Sequence, residues 1–196
     1  MSPRFFALAA PASLVCFLGL SVLSTTPARA SMFDFFPDQS QTREGRPLAS
    51  AIPRETVGYG GPESPGTIII STNERRLYYV LGNGQALRYG VGVGRPGFEW
   101  SGVRRITSKR EWPDWTPPSQ MIARRPDLPR HMEGGIANPL GARAMYIGGT
   151  LYRIHGSNEP ETIGQAVSSG CIRMTNYDVV DLYDRVKVGT KVIVQR

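Results

Sequence analysis

The chain reads as mainly β, a β-sandwich or partly closed barrel, with one amphipathic helix near its C-terminus. Two observations predict this. From Gly66 onward, short β-branched or aromatic runs alternate with Gly/Asn turn signals. Helical spacing appears clearly in one stretch, at Val179, Leu182, Tyr183 and Val186. A length of 196 residues with 40% hydrophobic content fits one domain with an appendage.

The first thirty residues read as a leader and not as part of that fold. Arg4 gives a short positive segment, Phe5 to Leu23 is apolar or small, and Ala28-Arg29-Ala30 closes an Ala-x-Ala cleavage pattern. We expect a secretory signal peptide over 1–30. Pro11 and the cleavage pattern weigh against a retained membrane anchor. Lipidation at Cys16 fits poorly, because Val15 is large and the apolar run continues past it. Residues 31–65 turn polar and rich in Pro, Gly and Arg after a brief cluster at Phe33, Phe35 and Phe36, and read as a flexible linker. The domain is expected over 66–196.

Within it, Thr67–Ser71, Arg76–Val80 and Ala86–Val93 are expected as three antiparallel strands, joined by turns at Asn73-Glu74 and Gly82-Asn83-Gly84. Gly90, Gly92 and Gly94 alternate with valine. No Gly-Lys-Ser/Thr follows them, so they read as close-packing or strand-bending positions and not as a phosphate loop. Glu99–Glu111 is short strand material. The prolines of Trp112–Pro118 exclude helix and central strand there. Residues 119–137 form a long connection of the kind that serves as a lid. Trp112 and Trp115, just before it, are open to two readings, plugs for the core edge or a lining for a substrate cleft. His131 reads as an exposed or structural loop histidine. Ala144–Ile147 and Leu151–Ile154 form a hairpin around Gly148-Gly149. Thr175–Asp178 is a capping box that opens the helix, Gly189 stops it, and Val192–Val194 is a closing strand.

Removal of the leader leaves Cys171 as the only cysteine, with 21 basic and 16 acidic residues. A lone cysteine in an exported chain is an intermolecular link, a buried spectator or a reactive thiol. Its context, Ser168-Ser169-Gly170-Cys171, is small and polar, which favours the reactive thiol. A thiol needs a base or cation to become a nucleophile. His155, 16 residues earlier at a predicted strand end, can supply the base. Gly170 permits an unusual turn and backbone N–H groups at or beside Cys171 can face an oxyanion, so Gly156 and Gly170 are the orienting and oxyanion candidates. The net charge of +7 suits a polyanionic wall. No Lys/Arg run supports nucleic acid.

Ile154-His155-Gly156, a spacer, then Ser168-x-Gly170-Cys171-Ile172-Arg173-Met174 resembles the signature of the L,D-transpeptidases with a YkuD-type catalytic domain. The resemblance runs through Asn138–Ala144, Gly156–Pro160, Ile163-Gly164 and Val188–Val192, covering about residues 66 to 196. One position departs: many members have histidine before the Gly-Cys pair, and this chain has Ser169, leaving His155 as the only motif histidine. The resemblance implies the YkuD topology and a Gly156 carbonyl that orients His155. It also implies a thioester formed on Cys171 from the tetrapeptide stem of peptidoglycan with loss of D-alanine. The acceptor would be a second stem, an outer-membrane lipoprotein lysine or water. Carbapenems would acylate the same cysteine, no cofactor or metal is required, and the enzyme would act in the periplasm at the cell wall. Arg173, Ser168 and Ser169 are the substrate-binding candidates. Two other readings stand beside transfer: a cysteine hydrolase on the same scaffold, and a non-catalytic wall-binding domain. Residue types also allow zinc on His131, His155 and Cys171, though without the close paired ligands of a strong site.

Overall fold

The structure, a computed structural model, describes residues 52–196 together with the backbone of 42–43 and 46–47. The leader expected over 1–30, Cys16 and the Phe33, Phe35, Phe36 cluster lie outside the described residues. Strands β1 (Thr42–Arg43) and β2 (Arg46–Pro47) pair antiparallel. After them come β3 (Glu55–Gly58), β4 (Ile68–Ser71), β5 (Arg76–Gly82), β6 (Gln85–Gly90) and β7 (Val93–Gly94). The chain continues through β8 (Gly102–Glu111), helix α1 (Ser119–Arg124), β9 (Arg143–Ile147), β10 (Arg153–His155), β11 (Ala166–Ser168) and β12 (Ile172–Arg173), and ends with α2 (Asn176–Arg185) and β13 (Lys191–Gln195).

Nine of these strands form one mixed sheet in the order β12-β10-β9-β8-β13-β4-β5-β6-β3, and β7 and β11 form a separate parallel pair. The expected meander is β4-β5-β6, antiparallel throughout. Its second turn is tight because Asn83 and Gly84 both take positive φ (51° and 70°), the pairing of angles that a two-residue hairpin turn requires. The closing strand β13 enters the middle of the sheet, parallel to β4 and antiparallel to β8. The sheet curls back toward itself: Gly92, just past β6, exchanges both backbone hydrogen bonds with Arg173 of the edge strand β12, each 2.9 Å. The result is a partly closed barrel.

The core fills its inside with Ile68, Ile70, Leu77, Tyr89, Ile106, Met145, Ile154, Ile172, Val192 and Val194, with Val179 and Leu182 from α2, and with Val186 just past its end. Thr175 caps α2 as the capping box predicts, its Oγ1 accepting from the Asp178 amide at 3.1 Å and donating to Asp178 Oδ2 at 3.0 Å. At the other end Lys109 Nζ donates to the carbonyls of Tyr183 and Val186, both at 2.6 Å, a cation at the negative end of the helix.

Three features differ from expectation. Glu99–Glu111 contains one ten-residue strand, whose first half pairs with β13 and second half with β9 across a bulge between Ile106 and Ser108. Only Ile106 of this strand is buried, so no alternating pattern marks its length. The segment 52–65, expected within the linker, adds edge strand β3 beside β6. It is held by single anchors: Arg54 reaches Asp181 at 3.2 Å and Glu63 pairs with Lys191 at 2.6 Å. Such anchors leave no periodic apolar signal. The 112–141 connection is ordered, with a bridge between Trp115 and Met132 and the six-residue α1 inside it.

Asn138 closes that connection. Buried at its base, it donates to the carbonyls of Pro113, Met132 and Glu133 and accepts from the Leu140 amide at 2.8 Å. Asn138→Ala strands these buried groups, and we expect a loss of about 3 kcal/mol with new proteolytic cleavage between 116 and 131. Urea unfolding and limited proteolysis measure both; a loss under 1 kcal/mol with no new cleavage contradicts this role.

Candidate active site

Strands β10 and β12 run parallel side by side, with Ile154 opposite Ile172 and His155 opposite Arg173. Side chains alternate along a strand. Ile154 and Ile172 therefore enter the core, with 0% and 1% exposure, while Arg153, His155, Cys171 and Arg173 share the other face. Cys171 comes immediately before β12, and its Cα lies about 8 Å diagonally from that of His155 on ordinary strand spacings. Nucleophile and base candidates thus share one face of a parallel strand pair, the fold-back that their separation of 16 residues requires.

His155 is buried, with 4% exposure. Its Nδ1 lies 2.5 Å from the carbonyl oxygen of Gly156. A carbonyl only accepts, so Nδ1 carries the hydrogen and Nε2 keeps its lone pair. Gly156 is fixed in turn: its N–H donates to the Arg143 carbonyl at 3.0 Å. A Cβ on Gly156 would stand 2.2 Å from Asn176 Oδ1, the atom that accepts from the Ala142 amide. The stretches around Asn138–Ala144 and Ile154–Pro160 therefore form one packed unit behind the histidine.

The cysteine loop is tied at four points. Ser168 Oγ donates to the Cys171 carbonyl at 2.6 Å and accepts from the Gly170 amide at 3.1 Å. Trp100 Nε1 donates to the Gly170 carbonyl at 2.8 Å, and Arg95 Nη1 to Ser169 Oγ at 3.3 Å. Gly170 has φ of +104°, and a Cβ there would stand 2.3 Å from the Tyr152 ring. Both strain and clash forbid a side chain. Gly170→Ala is expected to lower stability by about 2 kcal/mol or more and to displace Cys171, measured as a lower Tm together with slower alkylation of the thiol; an unchanged alkylation rate contradicts it. Gly92 and Gly94 serve the same crowding: a Cβ on Gly94 would meet the Phe98 carbonyl oxygen at 2.4 Å, and one on Gly92 would meet Arg173 Cβ at 3.2 Å.

Electrostatics set the resting protonation. Burial pushes the Cys171 thiol up, opposed by the Arg153 guanidinium and backbone N–H and by Arg173. Burial first, then the charges of Arg173 and Arg153, push His155 down to about 3, against the pull of the Gly156 carbonyl. At neutral pH the pair rests as thiol and neutral imidazole. This arrangement suits a general base that takes the proton as sulfur attacks.

The remaining candidates take the following places. The N–H groups of Gly156 and Gly170 are both engaged, so neither serves as oxyanion donor, while the Gly156 carbonyl lies against His155 as its expected orienting role requires. Ser168, a substrate-binding candidate, is 3% exposed and its hydroxyl closes the loop. Ser169 is half-buried against Arg95. Arg173 pairs with Glu159 at 2.9 Å and approaches Thr162 at 3.5 Å. His131 faces Thr116 Oγ1 at 3.4 Å, and among the described residues no three of His, Cys, Asp and Glu gather as a metal site. Arg153 and Trp100 went unnoticed in the sequence. Arg153 was discoverable as the residue two before His155 on the same strand face, whereas Trp100 reaches the site from a loop 70 residues away.

Comparison with known proteins places this arrangement. The probable L,D-transpeptidase ErfK/SrfK of Escherichia coli (strain K12) is 39% identical over 134 residues, 64% of this chain and 42% of that protein. The chain thus spans less than half the length of that curated relative. A solved Brucella melitensis chain, described as a probable carnitine operon oxidoreductase, is 46% identical with a TM-score of 0.50, covering 74% of this chain and 94% of that one. The catalytic domain of an E. faecium L,D-transpeptidase shares the fold, with a TM-score of 0.53 at 22% identity over 69% of this chain and 100% of that one. The family model of the YkuD L,D-transpeptidase catalytic domain matches residues 65–194, and the chain belongs to that family.

Proposed function

We propose that the protein is a peptidoglycan L,D-transpeptidase with Cys171 as nucleophile and His155 as base. The observation that carries this is the locked His155 tautomer on the strand beside Cys171, inside a chain of this family. His155 Nε2 takes the thiol proton while Sγ attacks the carbonyl carbon of the diamino acid–D-alanine bond. The imidazolium returns that proton to the departing nitrogen, the C–N bond breaks, D-alanine leaves and a thioester remains. An acceptor amine then attacks the thioester, His155 takes its proton and passes it to the departing sulfur, and the new amide forms. Water in place of the amine gives hydrolysis.

The amide of Cys171 itself is the oxyanion donor in this reading. Arg153, whose buried Nε has no hydrogen-bond partner among the described residues, and Arg173, shared with Glu159, are the cations for a substrate carboxylate. The 52–65 segment belongs to the domain's edge, and the signal peptide delivers the site to the periplasm, where a stem amine or a lipoprotein lysine is the acceptor. Carbapenems acylate the same sulfur.

Product analysis tests transfer against hydrolysis. With disaccharide-tetrapeptide alone and with an added acceptor amine, we expect the acceptor to appear in the product with release of D-alanine. Tripeptide alone at every acceptor concentration identifies a carboxypeptidase. Binding of the tetrapeptide without turnover identifies a wall-binding domain.

A further inference from the structure

Acylation of Cys171 builds negative charge on the attacked carbonyl oxygen, and the site needs a donor aimed at it. The Gly170 N–H is held by Ser168 and the Gly156 N–H by Arg143. The Arg153 N–H is directed at the thiol itself, and the remaining amide beside the sulfur is that of Cys171. Its direction is fixed by an atom on the other side of the same bond. The Gly170 carbonyl and the Cys171 N–H are the two ends of one planar trans peptide and point in opposite directions. Whatever holds that carbonyl aims that N–H.

The carbonyl is held by Trp100, whose indole Nε1 donates to it at 2.8 Å. The indole is itself braced: its ring stacks on Tyr152 with centroids 5.0 Å apart and planes inclined by 16°. Tyr152 directly precedes β10, the strand that carries His155. The same ring covers Gly170, leaving no room for a side chain there. One frame thus runs from the histidine strand through Tyr152 and Trp100 to the peptide in front of the nucleophile. Without the indole donor, the positive-φ Gly170 is free to rotate that peptide, because glycine has no side chain to oppose the rotation.

We propose that Trp100 is a positioning residue that orients the Cys171 N–H toward the oxyanion through the Gly170–Cys171 peptide, with Tyr152 as its brace. The proposal rests on the acyl-transfer reading above. It predicts a separation that a filler of the core edge would not show, because the indole N–H serves steps that form an oxyanion and leaves simple displacement at sulfur alone.

Trp100→Phe keeps a stacking ring and deletes the donor. Two rates at Cys171 are compared with the wild type by intact mass: acylation by imipenem, which passes through an oxyanion, and alkylation by iodoacetamide, which does not. We expect acylation at saturating imipenem to fall about 100-fold, with the half-saturating concentration and the alkylation rate each within about threefold of wild type. An unchanged acylation rate, or an equal fall in both rates, overturns the proposal. If the variant fails to fold, site-specific replacement of Trp100 by its benzothiophene isostere, which keeps the shape and lacks the N–H, gives the same comparison. A wild-type protein that is alkylated but acylated by neither imipenem nor tetrapeptide overturns the acyl-transfer reading itself. That result is distinct from a wild type and a variant that acylate equally fast.

Discussion

Cys171→Ala is expected to leave the fold intact and to abolish product formation. The side chain is half-buried at the end of a loop whose backbone ties run through Ser168, Gly170 and Trp100, and the sulfur adds only its contact with the Arg153 N–H. Stability should therefore change by about 1 kcal/mol or less. Chemistry should not survive, because His155 has no other nucleophile to activate and a bound water is poorly placed for a step shaped around sulfur. We expect the rate of D-alanine release to drop by on the order of 10⁴-fold or more. A variant that unfolds near the wild-type temperature and still releases D-alanine at a tenth of the wild-type rate contradicts the assignment of Cys171.

His155 gives the second large effect, in stability as well as rate. Its folded pKa of about 3 lies below the ordinary 6.5, so between these values the unfolded chain takes up a proton that the native state refuses. Stability contributed by the neutral buried imidazole is fully present above pH 6.5 and is lost as pH falls toward 3. The slope is about 1.4 kcal/mol per pH unit and the total is roughly 5 kcal/mol. His155→Phe removes the titration while keeping a ring. Urea unfolding of both proteins at pH 7, 5 and 3.5 should show the wild type losing several kcal/mol relative to the variant; parallel curves contradict the burial of a neutral histidine. Acylation by the variant should fall about 10³-fold. In the wild type, with the imidazole pushed down and the thiol pushed up, the acylation rate should be level from pH 5 to 8 with no inflection at 6.5.

Much of the site was legible because its parts are local. His155 ends a hairpin strand that Ala144–Ile147 and Leu151–Ile154 announce, and the cysteine loop declares itself through Ser-Ser-Gly-Cys. The helix was legible for the same reason, since its cap and apolar stripe are both short-range patterns. What stayed hidden depends on pairing across the sheet. Arg153 becomes part of the site only through the parallel register of β10 with β12, and Trp100 only through a contact spanning 70 residues. The engaged amides of Gly156 and Gly170 were also beyond reach, since a sequence shows that a glycine can turn the backbone and not where its N–H points. Strand β3 and the full length of β8 were missed because each is held by ladder bonds and isolated ion pairs and lacks a periodic apolar face.

A covalent acyl-enzyme on Cys171 can be trapped directly. The protein from Ser31 onward is mixed with disaccharide-tetrapeptide, quenched in acid within the first turnover, and weighed intact, with the modified peptide then sequenced by mass. We expect an adduct equal to the substrate minus D-alanine, located on Cys171 and removed by hydroxylamine as a thioester is. Release of D-alanine with no adduct at Cys171 at any quench time, or an adduct on another residue, would contradict it.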